Sequence, residues 1–132
     1  VLWTLGTDHG DFELVGAGEA FSLYQHQFQI LDDGILIFDN RIEPLEGSRA
    51  VQFDLDTDAM VAAQAWEYIA DPPVFCAGLG DVTRFDDGDT MVVWSAGGQV
   101  EQVGPDGELL HRLNLDLGSA MGYGVFLESL YE

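Results

Sequence analysis

Among the residues that can carry chemistry, His26 has the most informative surroundings. It lies in Tyr24-Gln25-His26-Gln27-Phe28-Gln29-Ile30, where glutamines alternate with larger groups. In a regular strand that period puts Tyr24, His26, Phe28 and Ile30 on one face and the glutamines on the other. A histidine in that company has two readings. It is a core residue satisfied by one hydrogen bond, or an imidazole left free to act as base or nucleophile. The other two histidines have plainer settings. His9 lies in the Gly/Asp loop Thr7-Asp8-His9-Gly10, and His111 stands beside Arg112. We expect both at the surface, and we expect no metal site built from them.

Two acidic clusters, Asp54-Leu55-Asp56-Thr57-Asp58 and Asp86-Asp87-Gly88-Asp89, carry oxygen ligands that could hold calcium. Neither fits the helix-flanked calcium loop, and Asp and Gly also favour tight turns, so solvated turns are the expectation. Gly16-Ala17-Gly18 lacks the strand–turn–helix setting of a nucleotide loop, the chain has no lysine for a phosphate loop, and no Gly-x-Ser-x-Gly elbow occurs. Cys76 is the sole cysteine and sits in the apolar run Val74-Phe75-Cys76-Ala77. It has no partner in this sequence for a disulfide and cannot build a zinc site alone. A buried inert thiol is one reading; a bond to another part of a longer parent is the other.

Charge narrows the partners. The 132 residues carry 24 acidic side chains against 4 basic ones, a formal charge of −20. Such a surface repels phosphate backbones and anionic lipid, so neither nucleic acid nor membrane is expected as a partner. No apolar run approaches the roughly 18 residues of a membrane helix. The charge fits a surface adapted to salt, or one that gathers cations, and its self-repulsion should ease as salt screens it.

The elements that must position these residues are short strands between turns. Leu23–Leu31 alternates, Asp32-Asp33-Gly34 is a hairpin signal, Ile35–Phe38 is apolar on both faces, and Ala50–Asp56 alternates again. Asp58–Ala70 is Ala-rich and by local propensity helical. A repeat argues otherwise. Leu31-Asp32-Asp33-Gly34 returns as Phe85-Asp86-Asp87-Gly88, 54 positions on, and Met91–Trp94 then echoes Ile35–Phe38. Gln99–Val103 echoes Arg49–Phe53, and Leu109–Leu115 echoes Met60–Tyr68, which makes Met60–Tyr68 a strand. A four-stranded unit repeated every 40–50 residues or so is the mark of propeller blades. A β-sandwich would show similar spacing.

The expected fold is therefore all-β: a partial β-propeller with two complete four-stranded blades, about 22–70 and 80–116. Edge strands of the neighbouring blades would lie at 1–6 and 123–130. The 132 residues form one segment of a single domain, and since the chain opens at Val1 we expect further sequence before it. Two blades cannot close a ring, so the remainder of the propeller or self-association should cover the open faces.

Several short motifs in fixed order then resemble the C-terminal region of the bacterial arylsulfotransferases. They are Gln25-His26, Phe38-Asp39-Asn40, Ser48-Arg49-Ala50-Val51, Trp66-Glu67-Tyr68, Gly80-Asp81-Val82 and Gly104-Pro105-Asp106-Gly107. The resemblance implies a six-bladed propeller that moves a sulfuryl group from an aryl sulfate to a phenol, without a nucleotide donor and with no cofactor. It implies a periplasmic or extracellular setting. It also implies that His26 is the catalytic nucleophile, with Tyr24 and Gln25 binding substrate beside it. The family's remaining sulfate-binding residues would belong to blades before Val1. Arg49 matches a family position and is assigned to the fold, while Arg41 stands where glycine is usual. The rival reading is a secreted propeller module that binds or scaffolds without catalysis.

Overall fold

The computed structural model describes residues 2–7, 9–16, 22, 24–116 and 120–126. Nine strands carry these residues: β1 (Glu13–Val15), β2 (Gln25–Ile30), β3 (Gly34–Asp39), β4 (Arg49–Asp56), β5 (Val61–Tyr68), β6 (Asp81–Arg84), β7 (Thr90–Trp94), β8 (Gln99–Val103) and β9 (Leu109–Asn114). They form two open sheets, ordered β1-β5-β4-β3-β2 and β6-β7-β8-β9. Within each, four consecutive strands pair as an antiparallel meander. The ambiguous Ala-rich segment is strand β5, because pairing with β4 and burial of Trp66 and Tyr68 outweigh its helical propensity.

Alternation in β3 and β4 sorts side chains into two cores. Leu36, Phe38 and Ala50 face the second sheet, where they meet Val82, Val92, Trp94 and Val103. Ile37, Val51 and Phe53 face the other way and pack with Leu5 and Leu14 from the N-terminal segment. A strand buried on both faces must be apolar on both, which is why Ile35–Phe38 carries no polar residue.

Among the described residues no backbone ladder joins the two sheets, so side chains stitch them together. Trp66, Tyr68, Trp94 and Phe38 form a run of aromatic contacts with centroids 5.5–6.3 Å apart. At its centre lies Glu101, fully buried. Its carboxylate accepts hydrogen bonds from Trp94 Nε1 (2.7 Å), Tyr68 Oη (3.1 Å) and Arg112 Nε (2.6 Å). A buried carboxylate with one donor removed would be left uncompensated, so these donors act together. Arg112 also donates to the Asp71 carbonyl at 2.9 Å, tying β9 to the segment that follows β5. Where β2 meets β6, the guanidinium of Arg84 lies 4.9 Å from the Trp66 ring centre, and Gln29 of β2 grips the Arg84 backbone through both amide atoms. That pair of bonds (3.1 and 2.6 Å) does the work of one ladder step between sheets.

The quoted motifs resolve into these supports. Trp66 and Tyr68 face the second sheet, while Glu67 turns to the opposite face and binds Arg49 at 2.6 Å. Arg49 also pairs with buried Asp39 at 2.9 Å across the β3–β4 register. Asn40 donates to the carbonyls of Cys76 and Leu79, and Ser48 receives the Cys76 N–H, fixing the loop between the sheets. Arg41 has φ +57°, the left-handed region that favours glycine, which accounts for the residue usual in the family at that place.

Some expected details are corrected. Residues 2–5 are not a strand: Asp11 binds both N–H and hydroxyl of Thr4, closing a loop, and the added strand is β1, paired parallel with β5. Residues 120–126 run irregularly, with Gly124 laid against Val93 and Phe126 against Phe85, while 127–130 lie outside the described residues. The alternation through His26 is broken by a bulge between Gln25 and Phe28, where β2 spends one extra residue against β3. His26 consequently shares its face with Gln29 and not with Phe28.

The Tyr68 hydroxyl is pushed up from 10.0 to about 12, first by burial and then by the charge of Glu101. A raised folded-state value means that the stabilisation is complete below pH 10 and is lost as pH rises toward 12. Denaturant unfolding followed across that window should show a drop in stability that Tyr68→Phe removes. Equal slopes in both proteins would contradict the latch.

Candidate functional site

The bulge in β2 turns the ring of His26 toward the second sheet at the edge where β2 lies against β6. His26 Nδ1 is 3.0 Å from the carbonyl oxygen of Gly80. A carbonyl only accepts, so Nδ1 carries the proton and donates it. Nε2 is then the nitrogen with the free lone pair. The residue as a whole remains exposed.

Gly80 can hold this place only as glycine. Its φ is +110°, and a Cβ would overlap the Phe38 ring. The neighbouring Asp81 is buried, with Oδ1 accepting from Val82 N and Oδ2 from Gly124 N (2.9 and 3.2 Å). Burial pushes its carboxyl above the ordinary range, while those two bonds and the charge of His26 pull it down.

The other expected site residues separate from His26. Tyr24 adopts φ +61°, a strained conformation for an aromatic residue, and is 70% exposed immediately before β2. Gln25 turns to the opposite face, where it lines a cavity of about 140 Å³ with Leu5, Phe28, Ile35 and Ile37. The structure thus brings Gly80 and Asp81 to His26 and sends Gln25 elsewhere. Neither partner was singled out for the site in the sequence, although the signal was there. His26 and Gly80 are 54 residues apart, the repeat spacing itself, so they occupy matching heights on adjacent units.

His9 is exposed in its loop and His111 is exposed on β9, as expected. Among the described residues no cluster of three His, Cys, Asp or Glu side chains is placed to hold a metal. Asp56 and Asp87 cap their own turns through backbone N–H groups two or three residues on. Cys76 is fully buried, and burial raises its thiol, the state of an inert cysteine.

A family model described as Arylsulfotransferase (ASST) matches residues 12–114. No curated protein matches the sequence. A solved structure of a protein of unknown function from Bacteroides caccae is similar at 16% identity and a TM-score of 0.49, covering 79% of this chain and 35% of its own, so the chain spans about a third of that protein.

Gly80→Ala should displace the carbonyl that orients His26. We expect a loss of roughly 2–4 kcal/mol in denaturant unfolding. Nitrogen NMR of the His26 ring should also lose its single Nδ1–H tautomer. An unchanged tautomer in a folded Gly80→Ala protein would show that Gly80 does not set it.

Proposed function

This chain belongs to the arylsulfotransferase family, and we propose that it supplies the nucleophile for sulfuryl transfer from phenolic sulfate esters to phenols. The observation that carries this reading is the hydrogen bond from His26 Nδ1 to the Gly80 carbonyl, which leaves Nε2 as the unprotonated nitrogen of an exposed residue.

The chemistry follows from that nitrogen. Nε2 attacks the sulfur of an aryl sulfate, an N–S bond forms, and the S–O bond to the aryl group breaks with its electron pair leaving on the phenolate. The imidazole becomes a cation while it holds the group. The Gly80 carbonyl keeps accepting from Nδ1–H, and Asp81 offsets the new charge. An acceptor phenol then loses its proton, which passes through solvent to the released phenolate, its oxygen attacks the same sulfur, and the N–S bond breaks, returning neutral His26. Tyr24, exposed immediately before β2, would offer an aromatic wall for either phenol. Gln25, on the other face, serves substrate only if the neighbouring segment shapes that cavity.

The two meanders would be adjacent blades of a propeller, with β2 and β6 innermost. Their support is the shared up-and-down order and the repeat spacing that sets His26 against Gly80. Donors that steady the sulfonate oxygens would come from the remainder of the propeller. A periplasmic or extracellular location completes the proposal. The formal charge of −20, which repels an anionic donor, favours the rival reading of a non-catalytic propeller module.

In the parent-length protein, His26→Ala should lower transfer from a chromogenic aryl sulfate by on the order of 10⁴-fold, while stability falls only by the ~1 kcal/mol of one hydrogen bond. The 132-residue chain by itself should be inactive. Full transfer by the Ala variant would remove the catalytic role and leave the binding-module reading.

A further inference from the structure

A side-chain polar atom that loses water on folding is nearly always given a hydrogen-bond partner. Among the described residues seven such atoms have none, and four of the seven belong to three residues that meet between the sheets: Arg84 Nε and Nη2, Trp66 Nε1 and Thr90 Oγ1. Thr90 stands directly opposite Arg84 in the β6–β7 register, which puts their Cβ atoms about 5 Å apart. By strand alternation both share the face that carries Val82, Val92 and Trp94 toward the first sheet. Trp66 comes from the first sheet, its ring centre 4.9 Å from the Arg84 guanidinium.

Charge makes this cluster stand out further. The chain has 4 basic residues, all arginine. Arg41, Arg49 and Arg112 each pair with a carboxylate, and among the described residues Arg84 pairs with none. Burial pushes its guanidinium below the ordinary value. A guanidinium and an indole N–H only donate, so a water would bring two protons that these groups cannot accept and no charge to offset the cation.

We propose that Arg84, Thr90 and Trp66 form a binding site for one small monovalent anion, chloride, which cross-links the two sheets. The donors fit that ligand, since each offers a proton and together they offer one positive charge. A divalent anion would leave an excess negative charge among buried groups, at a cost the single guanidinium does not offset. The formal charge of −20 repels anions at a distance, but at physiological salt that field is screened beyond ~8 Å, and the donors act at contact. The site is separate from His26, which meets the residue just before β6, whereas Arg84 ends that strand.

The indole of Trp66 provides the readout. In the nitrogen-labelled 132-residue chain, chloride replaces gluconate at constant ionic strength, so that general screening stays fixed. The Trp66 Nε1–H resonance should move and saturate. The Trp94 Nε1–H, held by Glu101 at 2.7 Å, should stay in place. Arg84→Met keeps an apolar stem against the Trp66 ring and removes an unpaired charge, so the variant should fold and lose the chloride response. Thr90→Val should weaken chloride about fivefold, the worth of one hydrogen bond. A Trp66 signal that stays still or never saturates, equal movement of Trp94, a response that survives Arg84→Met, or undiminished affinity in Thr90→Val would overturn the proposal.

Discussion

Two sheets that share no backbone ladder must be held together by side chains, and that constraint governs the rest of this structure. A ladder is local and tolerant of sequence; a side-chain stitch needs a particular residue at a particular height. Gln29 replaces one ladder step at the inner strands, the aromatic run fills the space between the faces, and Glu101 draws Tyr68, Trp94 and Arg112 to one buried carboxylate. Such a carboxylate is costly unless every donor arrives, so it ties the two sheets to one relative position.

The candidate site is made of the same material. His26 to Gly80 is both a stitch between sheets and the bond that selects the imidazole tautomer. The bulge that re-aims His26 would be a defect in a plain strand; here it exchanges strand regularity for the direction of one ring. Asn40 and Ser48 hold the segment from Cys76 to Leu79, and that segment delivers the Gly80 carbonyl. The residues that made the sequence look like its family are thus largely supports for that delivery.

Much of this was legible in advance. Turn signals, period-two alternation and the repeat located eight of the nine strands, β5 among them against its own helical propensity, and missed β1. The bulge was not legible, because glutamine alternation runs through it unbroken and the extra residue shows only against β3. It moved His26 off the Phe28 face and left Gln25 there in its place. The Glu101 hub was hidden for a related reason: one acidic residue among 24 carries no mark of burial until its donors are placed around it. Arg41 shows a third case: the sequence marks it only as standing where glycine is usual, and the structure supplies the reason in a left-handed backbone.

The proposal rests on one covalent event, and rapid quenching tests it most directly. The parent-length protein is mixed with an aryl sulfate, stopped within the first turnover under alkaline conditions, cleaved and mapped by mass spectrometry. The account predicts one sulfuryl group on the peptide that contains His26, attached at Nε2 and discharged when a phenol is added. Phenol release with no adduct on that peptide, or an adduct on a different residue, would contradict it.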